Sequence, residues 1–424
     1  MSFRRIVRSA VDRAAKARCA LVWGLLQLVS LPSQAAEWSM EPSFRVKTEY
    51  NDNILLTPAP HPAVWGITVS PDVRFTGATE RLSVTGGINL SFDRYFDQPQ
   101  LNANNHALIL RSSYRTERDL FGLNVDSVRD PTLVSELLET GAVVAYRQRN
   151  RLSVTPSWTR ALTESTSVGV TYTYTAVRYG GGPEFGVNLI DYHDQSAALG
   201  WQRALSERSV VTLTAYYDQY ESDPATFRAE TYGIQAGYTH RFSETLRGSF
   251  SVGGRRTQST IASQALVCEG VVIAGLCFGT ITVVPFTTKE KSSGYTLDAL
   301  VEKQLETSTF TGHLSRQLNP SGVGTLIETD RLSLGWSRDW SAALRTMVDA
   351  AAYQSRYVGS VRANSDTRYL RIEPRVSWRF AEGWELLAGY RYSWTRAQGT
   401  GVEADANVAY VSVSYAWPKL SMSR

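Results

Sequence analysis

Cysteine, histidine and methionine are scarce in this chain, with 3, 5 and 4 copies in 424 residues. So few ligand-type side chains, scattered along the sequence, exclude a Cys/His-rich metal scaffold. Charge is also sparse. Charged residues make up 20% of the chain, below the roughly 25% of soluble domains, so a disordered polyelectrolyte is excluded. No apolar run of about 20 residues is present, so no segment reads as a membrane-spanning helix. A Gly-rich phosphate loop, a CxxC pair and an HExxH motif are all missing.

Aromatic residues, by contrast, are plentiful. Trp, Tyr and Phe number 11, 21 and 14. They need an explanation that a small soluble core does not supply.

The N-terminus reads as a leader. Arg4, Arg5, Arg8, Arg13, Lys16 and Arg18 stand against one acid, Asp12. A 13-residue apolar run from Cys19 to Leu31 follows, then Ser33-Gln34-Ala35. A basic region, a short apolar core and a small-x-small site form a secretory signal peptide over 1–35, with the mature domain at 36–424. Removing six bases and one acid takes +5 from the formal +4, which leaves the mature chain near −1. The basic pI therefore belongs to the precursor, and no basic stripe points to nucleic acid. Cys19 leaves too. Cys268 and Cys277 remain, an even pair that suggests a disulfide in an exported protein.

Beyond the leader, period two dominates. Over 368–380, Leu370, Ile372, Pro374, Val376, Trp378 and Phe380 alternate with Tyr369, Arg371, Glu373, Arg375, Ser377 and Arg379. Residues 64–76 and 82–93 repeat the pattern. These are strands with one apolar and one polar face. They run 10–15 residues, longer than the 5–6 usual in soluble sheets. Short polar turns, such as Thr79-Glu80-Arg81 and Thr116-Glu117-Arg118, alternate with long loops near 52–62, 129–148, 180–190, 259–289 and 319–325. Aromatic residues collect at the ends of the apolar faces: Trp158, Trp201, Phe242, Trp336, Trp378, Trp384 and Trp417. Together these features predict a transmembrane antiparallel up-and-down β-barrel with short periplasmic turns and long extracellular loops. Eighteen strands are expected, the first at 38–51 and the last at 405–418. Closure is required because hydrocarbon leaves no partner for an unpaired backbone group. No stretch of the mature chain reads as an amphipathic helix.

The polar faces then line the lumen. Pore-lining candidates are Asp72, Arg74, Arg111, Arg115, Arg345, Asp349, Arg371, Glu373, Arg375, Arg379 and Arg391. Two readings stay open for the arginines of 371–379. They form a cationic strip that steers anionic solutes, or a wall network of paired charges. Tyr353, Tyr357 and Tyr369 are candidates for stacking on a sugar. Segment 259–289 reads as a hairpin that extends two strands, or as a constriction folded into the mouth, with a Cys268–Cys277 bridge in either case. An enzyme would need a nucleophile or base set. His61, His106, His193, His240 and His313 are dispersed, and Asp191-Tyr192-His193-Asp194 is the one acid/His cluster. It reads equally well as a polar strand end, so no enzymatic activity and no cofactor are expected.

Three short segments carry a family resemblance: Tyr50-Asn51-Asp52-Asn53-Ile54, Arg149 to Trp158, and Tyr415-Ala416-Trp417-Pro418. With them the mature chain resembles the "beta-barrel porin 2"-like outer-membrane proteins of Gram-negative bacteria. The resemblance implies an 18-strand barrel in outer-membrane lipid. It also implies a part in exopolysaccharide or capsule export, with a polysaccharide substrate and a periplasmic polysaccharide-export partner. The alternatives are a general or anion-preferring diffusion porin and a structural or adhesive barrel. One departure stands out. Many such barrels end on an aromatic residue, whereas here Trp417 is followed by seven more residues.

Overall fold

A computed structural model describes residues 37–141, 146–180, 189–273, 276–358, 366–397 and 401–423, with the backbone alone at 266, 271–273, 276–278 and 423. The leader read over 1–35 lies outside them, as does the side chain of Cys277. Cys268 is disulfide-bonded.

The chain forms eighteen long strands in order: β1 (Glu37–Asn51), β2 (Val64–Ala78), β3 (Leu82–Tyr95), β4 (Ala103–Arg115), β5 (Asp119–Pro131), β6 (Gln148–Ala161), β7 (Thr166–Gly180), β8 (Asp191–Ser206) and β9 (Ser209–Asp223). The second half holds β10 (Phe227–Arg241), β11 (Leu246–Ile273), β12 (Leu276–Gln304), β13 (Ser308–Ser321), β14 (Thr325–Asp339), β15 (Leu344–Tyr357), β16 (Thr367–Ala381), β17 (Trp384–Ala397) and β18 (Glu403–Ala416). A short β19 (Leu420–Ser423) follows, and the single described α-helix, α1, spans Thr132–Thr140. Each strand pairs antiparallel with its sequence neighbour, and β1 pairs with both β2 and β18. The sheet is therefore a closed barrel without an edge, as the sequence predicts.

The seam explains the residues after Trp417. Ser43 opposes Ala416 and Met40 opposes Leu420. Trp417, Pro418 and Lys419 thus face only Glu41 and Pro42, which is a bulge. Neither proline has an N–H to give, so the ladder breaks there and resumes as β19.

Local chemistry sets the short turns. In Thr79-Glu80-Arg81-Leu82 the Thr79 hydroxyl accepts the Leu82 N–H at 3.0 Å. Thr116-Glu117-Arg118-Asp119 repeats this, with Asp119 N–H donating to Thr116 Oγ1 at 3.0 Å. A hydroxyl that substitutes for a backbone acceptor closes a tight turn.

On the outer face of β16, Ile372, Val376 and Trp378 are exposed. An apolar surface left open to the surroundings is what a bilayer needs and water opposes. At the short-turn end the rings of Trp378, Phe380, Trp384, Tyr415 and Trp417 form a chain, with successive centroids 5.7, 6.2, 4.8 and 5.0 Å apart. This belt places the expected girdle at that rim. Among the described residues no helix is long and apolar enough to cross a membrane, a statement that does not touch strands.

Segment 259–289 is a hairpin. β11 and β12 pair without interruption from Leu246↔Lys303 to Ile273↔Leu276. Their neighbours stop earlier: β10 pairs with β11 only as far as Ile261, and β12 pairs with β13 only over Leu297–Gln304. The outer part of β13 separates from β12 and, with the start of β14, turns toward the inside of the barrel.

Candidate functional site

Two elements occupy the inside of the barrel near its long-loop end. The first is α1, in a segment the periodicity reads as loop. Its sequence carries helix signals over a short span: Pro131 in extended geometry before the first turn, and Gly141 after the last. Gly141 has φ +68° and donates its N–H to Leu137 O at 2.9 Å, a left-handed C-terminal closure that favours glycine. A Cβ there would also stand 2.7 Å from Tyr353 Cβ. Nine residues do not make a stable helix alone, so docking must hold α1.

That docking reaches both sides of the barrel. Leu137 packs with Leu56, Tyr353, Tyr369, Ala404 and Ala406 in one buried cluster, and Ser355 Oγ donates to Thr140 O. These partners belong to β15, β16 and β18, with Leu56 from the connection between β1 and β2. On the other side Arg149 of β6 pairs with Glu139 at 2.8 Å, and the Tyr179 hydroxyl of β7 donates to Glu136. In a closed ring of eighteen strands, β6 and β15 are nine apart, as are β7 and β16, and so face each other across the lumen. α1 bridges the two walls.

The second element is the β13–β14 tip. Ile190 N–H donates to Gly322 O at 2.7 Å, and the Tyr220 hydroxyl donates to Ser321 O at 3.1 Å. Leu326 is buried among Val177, Tyr192, Tyr220, Phe227 and Ala229. The tip thus rests on the β7–β10 wall, and Gly322 lies against Tyr179 and Glu136, where the two inward elements meet.

The expected arginine strip is on the inner face, but mostly paired. Glu373 is buried and accepts from Arg371 Nε (3.1 Å), Arg391 Nε (3.1 Å) and the Tyr410 hydroxyl (2.6 Å). Arg375 pairs with Asp349. Arg379 has no ion-pair partner among the described residues. Four guanidinium groups against two carboxylates leave this wall with an excess of two positive charges.

The other candidates fall in separate places. Asp72, Arg74 and Arg111 line one recess of about 300 Å³ on the inner wall of β2–β4. There Arg111 is held by Asp126 at 2.8 Å. Arg345 lies at the short-turn end with Asp339 at 3.6 Å, away from the inward elements.

One sequence expectation is corrected. Tyr353 and Tyr369 are 4% and 3% exposed. They form the seat of α1 and present no ring to a sugar. The Asp191–Asp194 cluster is divided by strand alternation, which sends successive side chains to opposite faces. Asp194 lines an inner recess, whereas His193 belongs to the opposite, outer face with Glu221 at 3.8 Å. The pair cannot act as an acid/base dyad.

Replacing Arg371, Arg375 and Arg379 by Gln should shift ion selectivity toward cations, because Asp349 loses its partner while Glu373 keeps Arg391 and Tyr410. The Debye length is about 10 Å at 0.1 M salt, so the shift should shrink as salt rises. Reversal potentials across salt gradients measure it. An unchanged selectivity would mean that the wall does not face the ion path.

Burial holds the Glu136 carboxyl above the usual carboxylate range, against the lowering influence of Tyr179, Arg149 and the Gly322 backbone, with Glu139 adding to the rise. The docked helix therefore binds protons more readily than an undocked one. Docking is strongest below the ordinary carboxylate pKa and weakens as pH rises through the raised value. Conductance fluctuations from α1 leaving its seat should become rarer as pH falls from neutral. In Glu136→Gln that pH dependence should disappear. A variant as pH-sensitive as the parent would assign the effect to another group.

No family model matches the chain, and no curated protein matches it. The family resemblance therefore rests on its short motifs. Solved structures do match. Pseudomonas aeruginosa OpdL is 13% identical with a TM-score of 0.43, over 90% of this chain and 99% of that one. Acinetobacter baumannii OccAB3 is 10% identical with a TM-score of 0.45, over 90% and 99%. Pseudomonas aeruginosa OccK2 (OpdF), solved in complex with glucuronate, is 10% identical with a TM-score of 0.46, over 90% and 98%. Likeness at this level says nothing of what passes through the barrel.

Proposed function

We propose that this chain is a channel of the bacterial outer membrane that passes small hydrophilic solutes. One observation carries the reading: α1 bridges opposite inner walls of a closed eighteen-strand barrel by docked, buried contacts. Barrels of 16–18 strands leave an aqueous lumen, and an inward helix narrows it to the scale of a small molecule. The apolar outer face and the aromatic belt support a place in lipid. The short-turn rim then faces the periplasm and the β11–β12 hairpin faces outward, as bacterial barrels are oriented. The excess positive charge of the β16–β17 wall supports a mild anion preference.

Export of an exopolysaccharide, with a periplasmic partner, is the finer reading that the resemblance implies. It requires α1 to leave its seat, since a polymer would have to pass where the helix lies. An adhesive barrel needs no ion path at all. Planar-bilayer recording with polyethylene glycols of increasing size separates the three. Ohmic steps blocked only by the smallest polymers are expected. Entry of large polymers would favour export, and absence of steps would favour an adhesive barrel.

A further inference from the structure

A recess of about 290 Å³ lies on the inner wall of β8–β12 and is roofed by Leu318, Pro320 and Leu326 of the inward tip. Its size is near the lower end for small-molecule sites, about 300 Å³.

The polar groups that line it are only partly satisfied. Asp194 and Asp218 are diagonal neighbours on β8 and β9, since Asp194 opposes Tyr220 and Ser196 opposes Asp218. Neither has an ion-pair partner among the described residues. Arg255 also lines the recess and is 7% exposed. Its Nη2 donates to Glu328 at 2.5 Å and its Nη1 to Thr257 at 3.2 Å, but its Nε has no partner. A buried donor left unmade is costly. The Tyr216 ring lies across the backbone of Gly233, its cross-strand partner, where a Cβ would stand 2.2 Å from Cζ. That contact sets where the ring sits in the recess.

These features select a ligand class. Two unpaired carboxylates oppose an anion. Asp298, held by His313 at 2.7 Å, and Arg316, held by Asp330, line the recess as well, so a simple cation would satisfy the carboxylates yet share the space with two guanidinium groups. No metal-ligating group of three His, Cys, Asp or Glu converges among the described residues. A hydroxyl both donates and accepts. Neighbouring hydroxyls on one ring can donate to the carboxylates, while the C–H face of that ring rests on Tyr216.

We infer that this recess is a binding subsite for one neutral sugar unit. It deepens the channel reading and rests on it for access from the lumen. It also differs from the tyrosine-stacking site expected from sequence, because Tyr353 and Tyr369 are covered and Tyr216 lies on the far wall.

Calorimetry on the detergent-solubilised full chain, with glucose and galactose, tests the binding. Glucosamine and gluconate serve as charged probes. The neutral sugars should bind weakly and gluconate should not bind. Asp194→Asn, which keeps the side-chain shape, should weaken sugar binding about tenfold, the loss expected for one hydrogen bond to a charged group. Gly233→Ala should weaken it at least as much, because its Cβ forces the Tyr216 ring out of place. Both variants should conduct like the parent in sugar-free salt, which shows that they have folded. Binding of glucosamine without glucose would replace the sugar site with a cation site and overturn the inference. So would unchanged affinity in both variants, or no binding in a barrel that conducts. Sugar binding by a barrel that does not conduct would instead sink the channel reading and leave the subsite standing.

Discussion

Replacing residues 133–145 by a short Gly-Ser turn should raise single-channel conductance several-fold and admit larger polymers. The graft is geometrically mild. Thr132 N–H donates to Arg147 O at 2.9 Å, so the ends of the removed segment already touch. The barrel should still assemble, because α1 pairs with no strand and closure depends on β1, β2 and β18. What disappears is the bridge between β6–β7 and β15–β18. Leu137→Asp makes the same test without a deletion. A fully buried leucine contributes about 1.5–3 kcal/mol, and a carboxylate beside Leu56, Tyr353 and Tyr369 would lose that and stay unpaired. The helix should then spend much of its time away from its seat, and conductance should flicker toward the deletion level. Equal conductance in parent and deletion would mean that α1 does not limit the passage, and the small-solute reading would lose its main support.

Tyr172→Arg should prevent or severely weaken assembly. Tyr172 is 39% exposed on the outer face of β7 near the middle of the strand, between Val170 and Tyr174. A charge at the middle of a bilayer costs about 2–4 kcal/mol in a barrel, a large part of ordinary folding stability. Thr171→Arg changes the neighbouring residue, which faces inward, and should be tolerated because polar lumen surroundings solvate it. Folding into lipid vesicles, read by the mobility difference between folded and heat-denatured forms, compares the two. If both variants assemble equally well, β7 does not cross hydrocarbon, and the membrane reading fails with it.

Much of this architecture was legible from residue order. Alternation in 368–380 put Arg371, Glu373 and Arg375 on one face and Ile372, Val376 and Trp378 on the other, and the structure has them so. The Thr79-Glu80-Arg81 and Thr116-Glu117-Arg118 turns were readable because one hydroxyl closes each within four residues. The helix was not. Thr132–Thr140 is too short to stand out against a loop, and its stability comes from partners far along the chain. Thr140 meets Ser355 and Glu136 meets Tyr179. The signals that could have found it were Pro131 before and Gly141 after a run with two leucines together.

Charge pairing divides along the same line. The sequence showed arginines two apart on one strand, which determines that they share a face. It could not show that Arg391 and Tyr410, from the next two strands, would converge on Glu373, or that Arg379 would be left out. Nor could it show that Tyr353 and Tyr369 lie beneath a helix while Tyr216 borders an open recess. A strand's two faces follow from backbone geometry acting between adjacent residues, so the order of residues alone determined the barrel, its strand number and its outer surface. A polar side chain inside the barrel can be solvated, paired or covered at similar cost, and the choice depends on which distant segment folds onto it. Only the tertiary structure decided that.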